Sequence, residues 1–175
     1  MTKRRFRTLF LLFVLIILQV SLFAHFRPFG IAPDALLVAA LVGGMVGGPD
    51  YGARNGFAAG LLLDLVIPGA FGLAAGVYAM FGYGIGFIAR AIDSDDPRAL
   101  PVLVAMMSFL ATGAYGLALG VLGSEQFVEW GLVWTALGVS VFSMLLAVPI
   151  RNGYRWVVGD RLEVARNEQA RAVVN

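Results

Sequence analysis

YGARNGFAAGLLLDLVIPGAFGLAA, residues 51–75, is the stretch of this chain that decides its fold. It is apolar enough to lie in a membrane, yet it carries Gly52, Gly56 and Gly60 at intervals of four residues and an acid at Asp64. Side chains at i and i+4 lie on one face of a helix. The stretch therefore predicts a helix with a groove of missing side chains that ends in a carboxylate, and such a groove favours a neighbouring helix.

The composition of the whole chain indicates an integral membrane protein. Of its 175 residues, 59% are hydrophobic and only 14% are charged, whereas about a quarter of the residues of a soluble domain are charged. A bilayer span needs roughly 20 apolar residues, so spans occupy most of the chain and leave no room for a separate soluble domain. Cysteine is absent, which excludes disulfides, thiolate metal sites and a cysteine nucleophile.

The hydrophobic runs predict an all-α protein with six transmembrane helices packed as a compact bundle. We place one transmembrane domain over residues 1–150 and a basic cytoplasmic tail over residues 151–175. The second run is short, since 33–48 as a helix reaches only about 24 Å. It is either a short span or a re-entrant segment, and we adopt the span. The six spans cover about residues 8–26, 34–48, 52–67, 71–89, 99–122 and 127–150.

The basic residues give this topology an orientation. With the N-terminus inside the cell, 12 of the 13 Lys and Arg residues fall in cytoplasmic segments and only Arg27 lies outside. Cytoplasmic segments of membrane proteins carry an excess of Lys and Arg. We therefore predict that both termini are cytoplasmic. A re-entrant second run would invert every later loop and destroy this bias.

Residues that could perform catalysis are scarce. The single histidine, His25, lies beside Arg27 at the predicted outer interface, where it marks the end of the first span. A zinc or two-metal site needs several converging His, Cys or carboxylate ligands, and the sequence offers no such cluster. We predict no catalytic residue, no cofactor or metal, and no nucleic-acid partner.

Two acids in apolar surroundings are the polar residues of interest, because a charge close to the hydrocarbon is costly. They are Asp34 and Asp64, both near the predicted outer face. The candidate partners of Asp64 are Arg27, His25 and the free N–H groups at residues 69–72, where a helix N-terminus favours a carboxylate. Each acid is either a helix cap at the interface or, together with Arg27, part of a polar outer pocket that fixes the packing of the first four spans.

Small residues are the other candidates for structural or partner-binding roles. The hydrophobic effect does not drive helices together in lipid, and close packing at glycine supplies the attraction instead. The glycine pairs are either internal packing positions or seams for a partner. The structural or partner-binding candidates of the whole chain are Arg27, Pro33, Asp34, Gly52, Gly56, Gly60, Asp64, Pro68, Gly72 and Gly76.

Several of these motifs together resemble the bacterial rod shape-determining protein family MreD. The basic start is followed by LQVSLF at residues 18–23, by PD at residues 33–34, by GP at residues 48–49, and by GFAAGLLLDL and GAFGLAA within residues 56–75. The GYGIG of residues 82–86 also fits. The resemblance is specific over residues 18–86 and only topological beyond them.

This resemblance implies a non-enzymatic scaffold subunit of the cell-elongation (rod) complex, located in the bacterial cytoplasmic (inner) membrane as a multi-pass protein. It implies direct binding to MreC, and association through MreC with MreB, RodA and a class B penicillin-binding protein. It also implies a fold like that of the substrate-binding subunits of energy-coupling vitamin transporters. The alternative function is accordingly a small-ligand-binding membrane subunit of a transporter. None of the matching positions, Pro33, Asp34, Gly56, Gly60, Asp64 and Gly72, has a catalytic role in the family.

Overall fold

The computed structural model describes the backbone of residues 2–21, 30–67, 70–91, 99–122 and 130–174, and side chains within 6–21, 30–67, 70–90, 100–122 and 131–155. The prediction of an all-α chain is confirmed, because the regular structure of these residues is entirely helical. The helices are α1 (Thr2–Ser21), α2 (Ala35–Gly47), α3 (Pro49–Val66), α4 (Leu73–Ala91), α5 (Ala99–Val121) and α6 (Trp130–Val174).

Helix α2 forms the centre of the bundle. It contacts each of the other five helices, and its ten residues from Ala35 to Gly44 are all buried. A helix that is apolar on every side is stable only where neighbours or lipid cover it all round, and here the neighbours do so. Its 13 residues reach about 20 Å, less than the roughly 30 Å hydrocarbon thickness.

Three of the described helices are long and apolar enough to cross a membrane, over Leu73–Arg90, Leu100–Val121 and Gly131–Arg155. Shorter apolar stretches occur in α1 and α2. In α3, Asp50, Arg54 and Asp64 lie within 18 residues, so this helix is less apolar than the other long ones. Large apolar side chains on the outer faces of the bundle are exposed, as lipid contact requires, among them Phe13, Phe87, Met106, Trp134 and Leu145.

Helix α6 continues well beyond the predicted end of the sixth span at residue 150. It contains Pro149 and runs without interruption to Val174, a total of 45 residues. At 1.5 Å per residue this is about 68 Å, roughly twice the thickness of the hydrocarbon core. The apolar part ends at Arg155, so the remaining helical backbone corresponds to the predicted basic tail.

A single residue, Gly48, joins α2 to α3. Its N–H donates to the Gly44 carbonyl at 2.8 Å and its carbonyl accepts from the Gly52 N–H at 2.9 Å, so one residue ends one helix and begins the next. Its backbone angles, φ 84° and ψ 174°, lie in a region that is essentially restricted to glycine. Pro49 follows at the first position of α3, where its missing N–H costs nothing.

We predict that Gly48→Ala destabilises the protein by about 1–3 kcal/mol, because alanine cannot adopt this backbone conformation without strain. A Cβ atom at residue 48 would also lie 3.2 Å from an Arg90 guanidinium nitrogen. The measurement is thermal unfolding of the purified protein in detergent. The matched control is Gly84→Ala, in a helix and with open space around its Cβ position. Equal melting temperatures for the two variants would contradict the prediction.

Candidate functional site

The glycine face of α3 packs directly on the backbone of α4. A Cβ atom added at Gly52, Gly56 or Gly60 would overlap the carbonyl oxygen of Gly82, Tyr78 or Ala74, respectively. The contacted carbonyls move back by four residues as the glycines advance by four, so the two helices run antiparallel with one continuous seam. We call this contact the glycine seam.

Two further glycines extend the close approach to α2 and to its turn with α3. A Cβ at Gly44 of α2 would overlap the Gly82 carbonyl oxygen, and a Cβ at Gly86 would lie 2.7 Å from the nitrogen of Pro49. Helices α2, α3 and α4 therefore approach one another to backbone contact around Gly82. Contacts this close allow extensive dispersion and Cα–H···O interactions.

The groove predicted from Gly52, Gly56 and Gly60 is therefore filled by α4 of the same chain, which leaves these three glycines no room for a helix of another protein. Gly72 and Gly76 differ from them although their spacing is the same. Neither has an atom within 4 Å of its Cβ position, and Gly72 has φ +91°. Gly72 thus supplies backbone freedom at the start of α4, and Gly76 lies on an open face.

Asp64, at the end of the glycine seam, caps the N-terminus of α4. Its Oδ2 accepts from the N–H groups of Gly72 at 3.0 Å and Ala75 at 3.1 Å, and its Oδ1 accepts from that of Ala74 at 3.3 Å. These N–H groups have no partner within the helix. A helix usually receives such bonds from the side chain of its own cap residue. Gly72 has none, so the acid of the neighbouring helix takes that role.

Of the candidate partners of Asp64, the N–H groups at the N-terminus of α4 are thus the ones that bind it in the structure. Arg27 and His25 lie outside the described residues, as does Pro68. Of the three residues predicted to share one outer pocket, Asp34 and Asp64 are among the described residues.

Asp34 caps α2 and also binds α4. Its Oδ1 accepts from the Leu37 N–H at 3.0 Å, and its Oδ2 accepts from the hydroxyl of Tyr78. Tyr78 is buried, and its own carbonyl faces Gly56. The same residue therefore belongs to the glycine seam and holds the start of α2. Asp64 binds the N–H groups of Ala74 and Ala75, about one helical turn before Tyr78. The two acids therefore share one end of the bundle.

Gln19 completes this end of the bundle and was missed in the sequence. Its amide nitrogen donates to the Pro33 carbonyl at 2.9 Å, and its amide oxygen accepts from the Ala35 N–H at 2.9 Å. The predicted residue Pro33 is buried and takes part through its backbone. A glutamine in the apolar run of α1 was the available signal, because a buried amide in a membrane helix requires partners.

A second polar cluster lies along α2 from Ala39 toward its C-terminal end, where Tyr51 lies beside Gly47. The amide nitrogen of Asn55 donates to the Ala39 carbonyl at 2.9 Å and to the Tyr154 hydroxyl at 2.7 Å. The hydroxyls of Thr8 and Tyr51 lie 2.8 Å apart, and the rings of Tyr51 and Tyr154 meet edge to face with centroids 6.3 Å apart. This cluster joins α1, α2, α3 and α6.

Neither Asn55 nor Tyr154 is among the site residues predicted from the sequence. In the structure Tyr154 is fully buried. Among the described residues, no group of three or more His, Cys, Asp or Glu side chains is placed to hold a metal ion. What the two polar clusters do is hold helices together.

We predict that Gly56→Ala lowers the stability of the bundle by about 1–3 kcal/mol, the usual cost of forcing extra atoms into a packed contact. Its Cβ would meet the backbone at Tyr78, which cannot rotate away as a side chain could. Gly76→Ala, on the open face of α4, is the control and leaves stability unchanged or slightly raised. Thermal unfolding in detergent measures both, and a similar loss in the control would contradict the prediction.

We predict that Asp64→Ala costs about 1–2 kcal/mol, since it removes the side-chain cap of a helix N-terminus together with a favourable charge there. Asp64→Asn retains one acceptor oxygen and should lie between the wild type and Asp64→Ala. The readout is the melting temperature of the three proteins in the same detergent. An alanine variant as stable as the wild type would show that these hydrogen bonds contribute nothing.

In a comparison with protein families, the family described as rod shape-determining protein MreD matches residues 2–157. This range includes α1 to α5 and the whole apolar part of α6. No curated protein and no solved structure matches the chain.

Proposed function

The chain belongs to the MreD family of rod shape-determining proteins, and on that premise we propose that it is a non-enzymatic scaffold subunit of the bacterial cell-elongation complex. The observation that carries this proposal is the extent of the family match, which takes in both polar clusters and the glycine seam. The residues that the structure brings together are helix caps and packing positions. Such residues suit a protein whose task is to hold a shape and present surfaces to partners.

We further propose that the chain crosses the cytoplasmic membrane six times with both termini in the cytoplasm. The distribution of Lys and Arg supports this orientation. The contacts support an even number of crossings between residues 8 and 154, because Thr8, Tyr51 and Tyr154 meet at one end of the bundle. Gln19 and Asp34 lie at the other end of α2. With an even number of crossings between residues 8 and 154, Thr8 and Tyr154 lie on the same side of the membrane.

Helix α2 is consistent with a full crossing in spite of its length. It is covered by protein on all sides, so its ends need not reach the lipid headgroups. The polar groups that cap it, Asp34 and Gln19, satisfy its N-terminal N–H groups within the protein. Non-ideal backbone at membrane depth is tolerated where protein surrounds it.

The absence of cysteine from the sequence allows a clean test of this topology with single introduced cysteines. Ile67→Cys lies at the proposed outer end of α3 and Arg155→Cys at the proposed cytoplasmic end of α6, and both parent side chains are exposed. A membrane-impermeant maleimide applied to intact spheroplasts should label residue 67 and not residue 155. Permeabilised cells should show labelling of both. Labelling of residue 155 in intact spheroplasts would contradict the proposed orientation.

As its partners we propose MreC by direct binding, and MreB, RodA and a class B penicillin-binding protein through the complex. The three glycines of the seam are covered by α4, so we place the contact with MreC on another part of the surface. The exposed apolar faces are the available area within the bilayer. Packing between such faces can hold transmembrane helices together without a buried charge.

The test of the proposed function combines cell shape with recovery of the partner. Depletion of this protein in its own bacterium should convert rods to rounded cells, and a plasmid copy should restore the rods. Tagged protein purified in mild detergent should recover MreC. The Gly56→Ala variant should restore shape poorly and recover less MreC, whereas Gly76→Ala should behave as the wild type. Rods that persist without the protein, or a wild-type preparation that contains no MreC, would refute the proposal.

A further inference from the structure

One buried polar atom of the second cluster is unsatisfied. Asn55 is 3% exposed, and both hydrogens of its amide nitrogen are engaged, one by the Ala39 carbonyl and one by the Tyr154 hydroxyl. Its amide oxygen, Oδ1, has no hydrogen-bond partner among the described residues. Buried side-chain oxygens are nearly always paired, and an exception in a native protein calls for an explanation.

Exchanging the nitrogen and oxygen of the Asn55 amide does not remove the problem. The exchange would turn the amide oxygen toward the Ala39 carbonyl oxygen, and two acceptors would then face each other. The present orientation is therefore fixed by the backbone of α2. Both bonds that connect Asn55 of α3 with α2 and α6 use its amide nitrogen. They leave the amide oxygen without a role.

Tyr154 supplies the complementary unsatisfied group. Its hydroxyl oxygen accepts the bond from Asn55, so its own proton remains to be donated, and it finds no acceptor among the described residues. The side chain is fully buried. An acceptor on Asn55 and a donor on Tyr154 thus lie next to each other in one enclosed place, joined by a single hydrogen bond of 2.7 Å.

We propose that this junction of α1, α2, α3 and α6 is a binding site for one internal water molecule. The water donates to Asn55 Oδ1 and accepts from the Tyr154 hydroxyl, so that both groups are satisfied. Water suits the site because it is at once a donor and an acceptor, and buried waters in proteins are held by about three hydrogen bonds to polar groups that otherwise lack partners. A charged ligand does not suit it, since Asn55, Tyr154, Tyr51 and Thr8 are all neutral.

The absence of a side chain at Gly43 of α2 leaves the space that the Asn55 amide occupies. A Cβ atom at this position would lie 2.5 Å from the Asn55 amide nitrogen and 3.4 Å from a ring carbon of Tyr154. Any side chain here would therefore displace the amide. The backbone of α2 at Ala39 and Gly43 therefore faces the Asn55 amide directly, and the Ala39 carbonyl accepts a hydrogen bond from it.

Another buried polar contact in the protein serves as the comparison. The hydroxyls of Ser108 on α5 and Ser143 on α6 are both fully buried and lie 2.8 Å apart. Each oxygen has the other as its hydrogen-bond partner, so neither is a buried oxygen without a partner, as Asn55 Oδ1 is. This pair needs no third molecule, and we expect no water between its members.

The direct test is a high-resolution electron cryomicroscopy map of the wild-type full-length chain in lipid nanodiscs, with a bound antibody fragment to add mass. The expected result is an ordered density peak at about 2.6–3.2 Å from both Asn55 Oδ1 and the Tyr154 oxygen, and none beside the Ser108–Ser143 pair. A map that resolves other waters but shows none here, or shows a protein donor on Asn55 Oδ1, overturns the proposal. This test requires no variant.

A second measurement is water-edited solid-state NMR of the same protein in lipid. The signal of the Asn55 side-chain NH₂ should gain magnetisation from water several-fold faster in the wild type than in Tyr154→Phe, which removes the hydroxyl that holds the water. Ser143→Ala is the matched control and should leave the rate at Asn55 unchanged. Equal rates in the wild type and Tyr154→Phe overturn the proposal.

Discussion

The contact of α3 with α4 at the glycine seam is the constraint on which the rest of the structure depends. In lipid, association of helices gains nothing from removing apolar surface from water, so packing at short range and hydrogen bonds must supply the attraction. Glycines at residues 52, 56 and 60 bring one backbone against the other. This approach places Tyr78 where its hydroxyl reaches Asp34 and brings the start of α4 within reach of Asp64. The polar contacts at that end follow from the seam.

The ends of the helices are satisfied by neighbouring helices as well as by their own cap residues. The N–H groups that begin α4 bind Asp64 of α3, and the first N–H of α2 binds Gln19 of α1. An unsatisfied backbone group costs several kcal/mol in hydrocarbon. A cap that comes from another helix removes this cost and at the same time fixes the distance between two helices. In this bundle the same hydrogen bonds therefore cap a helix and join it to its neighbour.

The local part of this arrangement could be predicted from the sequence, and the long-range part could not. The spacing of the glycines predicted one smooth face on α3, and the position of Asp64 predicted a helix N-terminus near residues 69–72 as one of its partners. The spacing of glycines alone does not reveal, however, which part of the protein a helix face packs against. Gly72 and Gly76 repeat the same interval and have open space at their Cβ positions, whereas a Cβ at Gly56 would overlap the backbone of α4. The bond between Asn55 and Tyr154 joins residues 99 positions apart, which no local pattern encodes.

One polar cluster lies at the start of α2 and the other runs from Ala39 toward its C-terminal end, and this placement bears on the proposed scaffold role. Gln19 ties α1 to the beginning of α2, while Thr8 ties the other end of α1 to α3 through Tyr51. Tyr154 then ties α6 to α3. A helix held at one end can pivot, but a helix held at both ends keeps its angle to its neighbours. The bundle is consequently fixed in shape by neutral and acidic groups that face inward. The large apolar side chains exposed on the described helices take no part in these polar contacts.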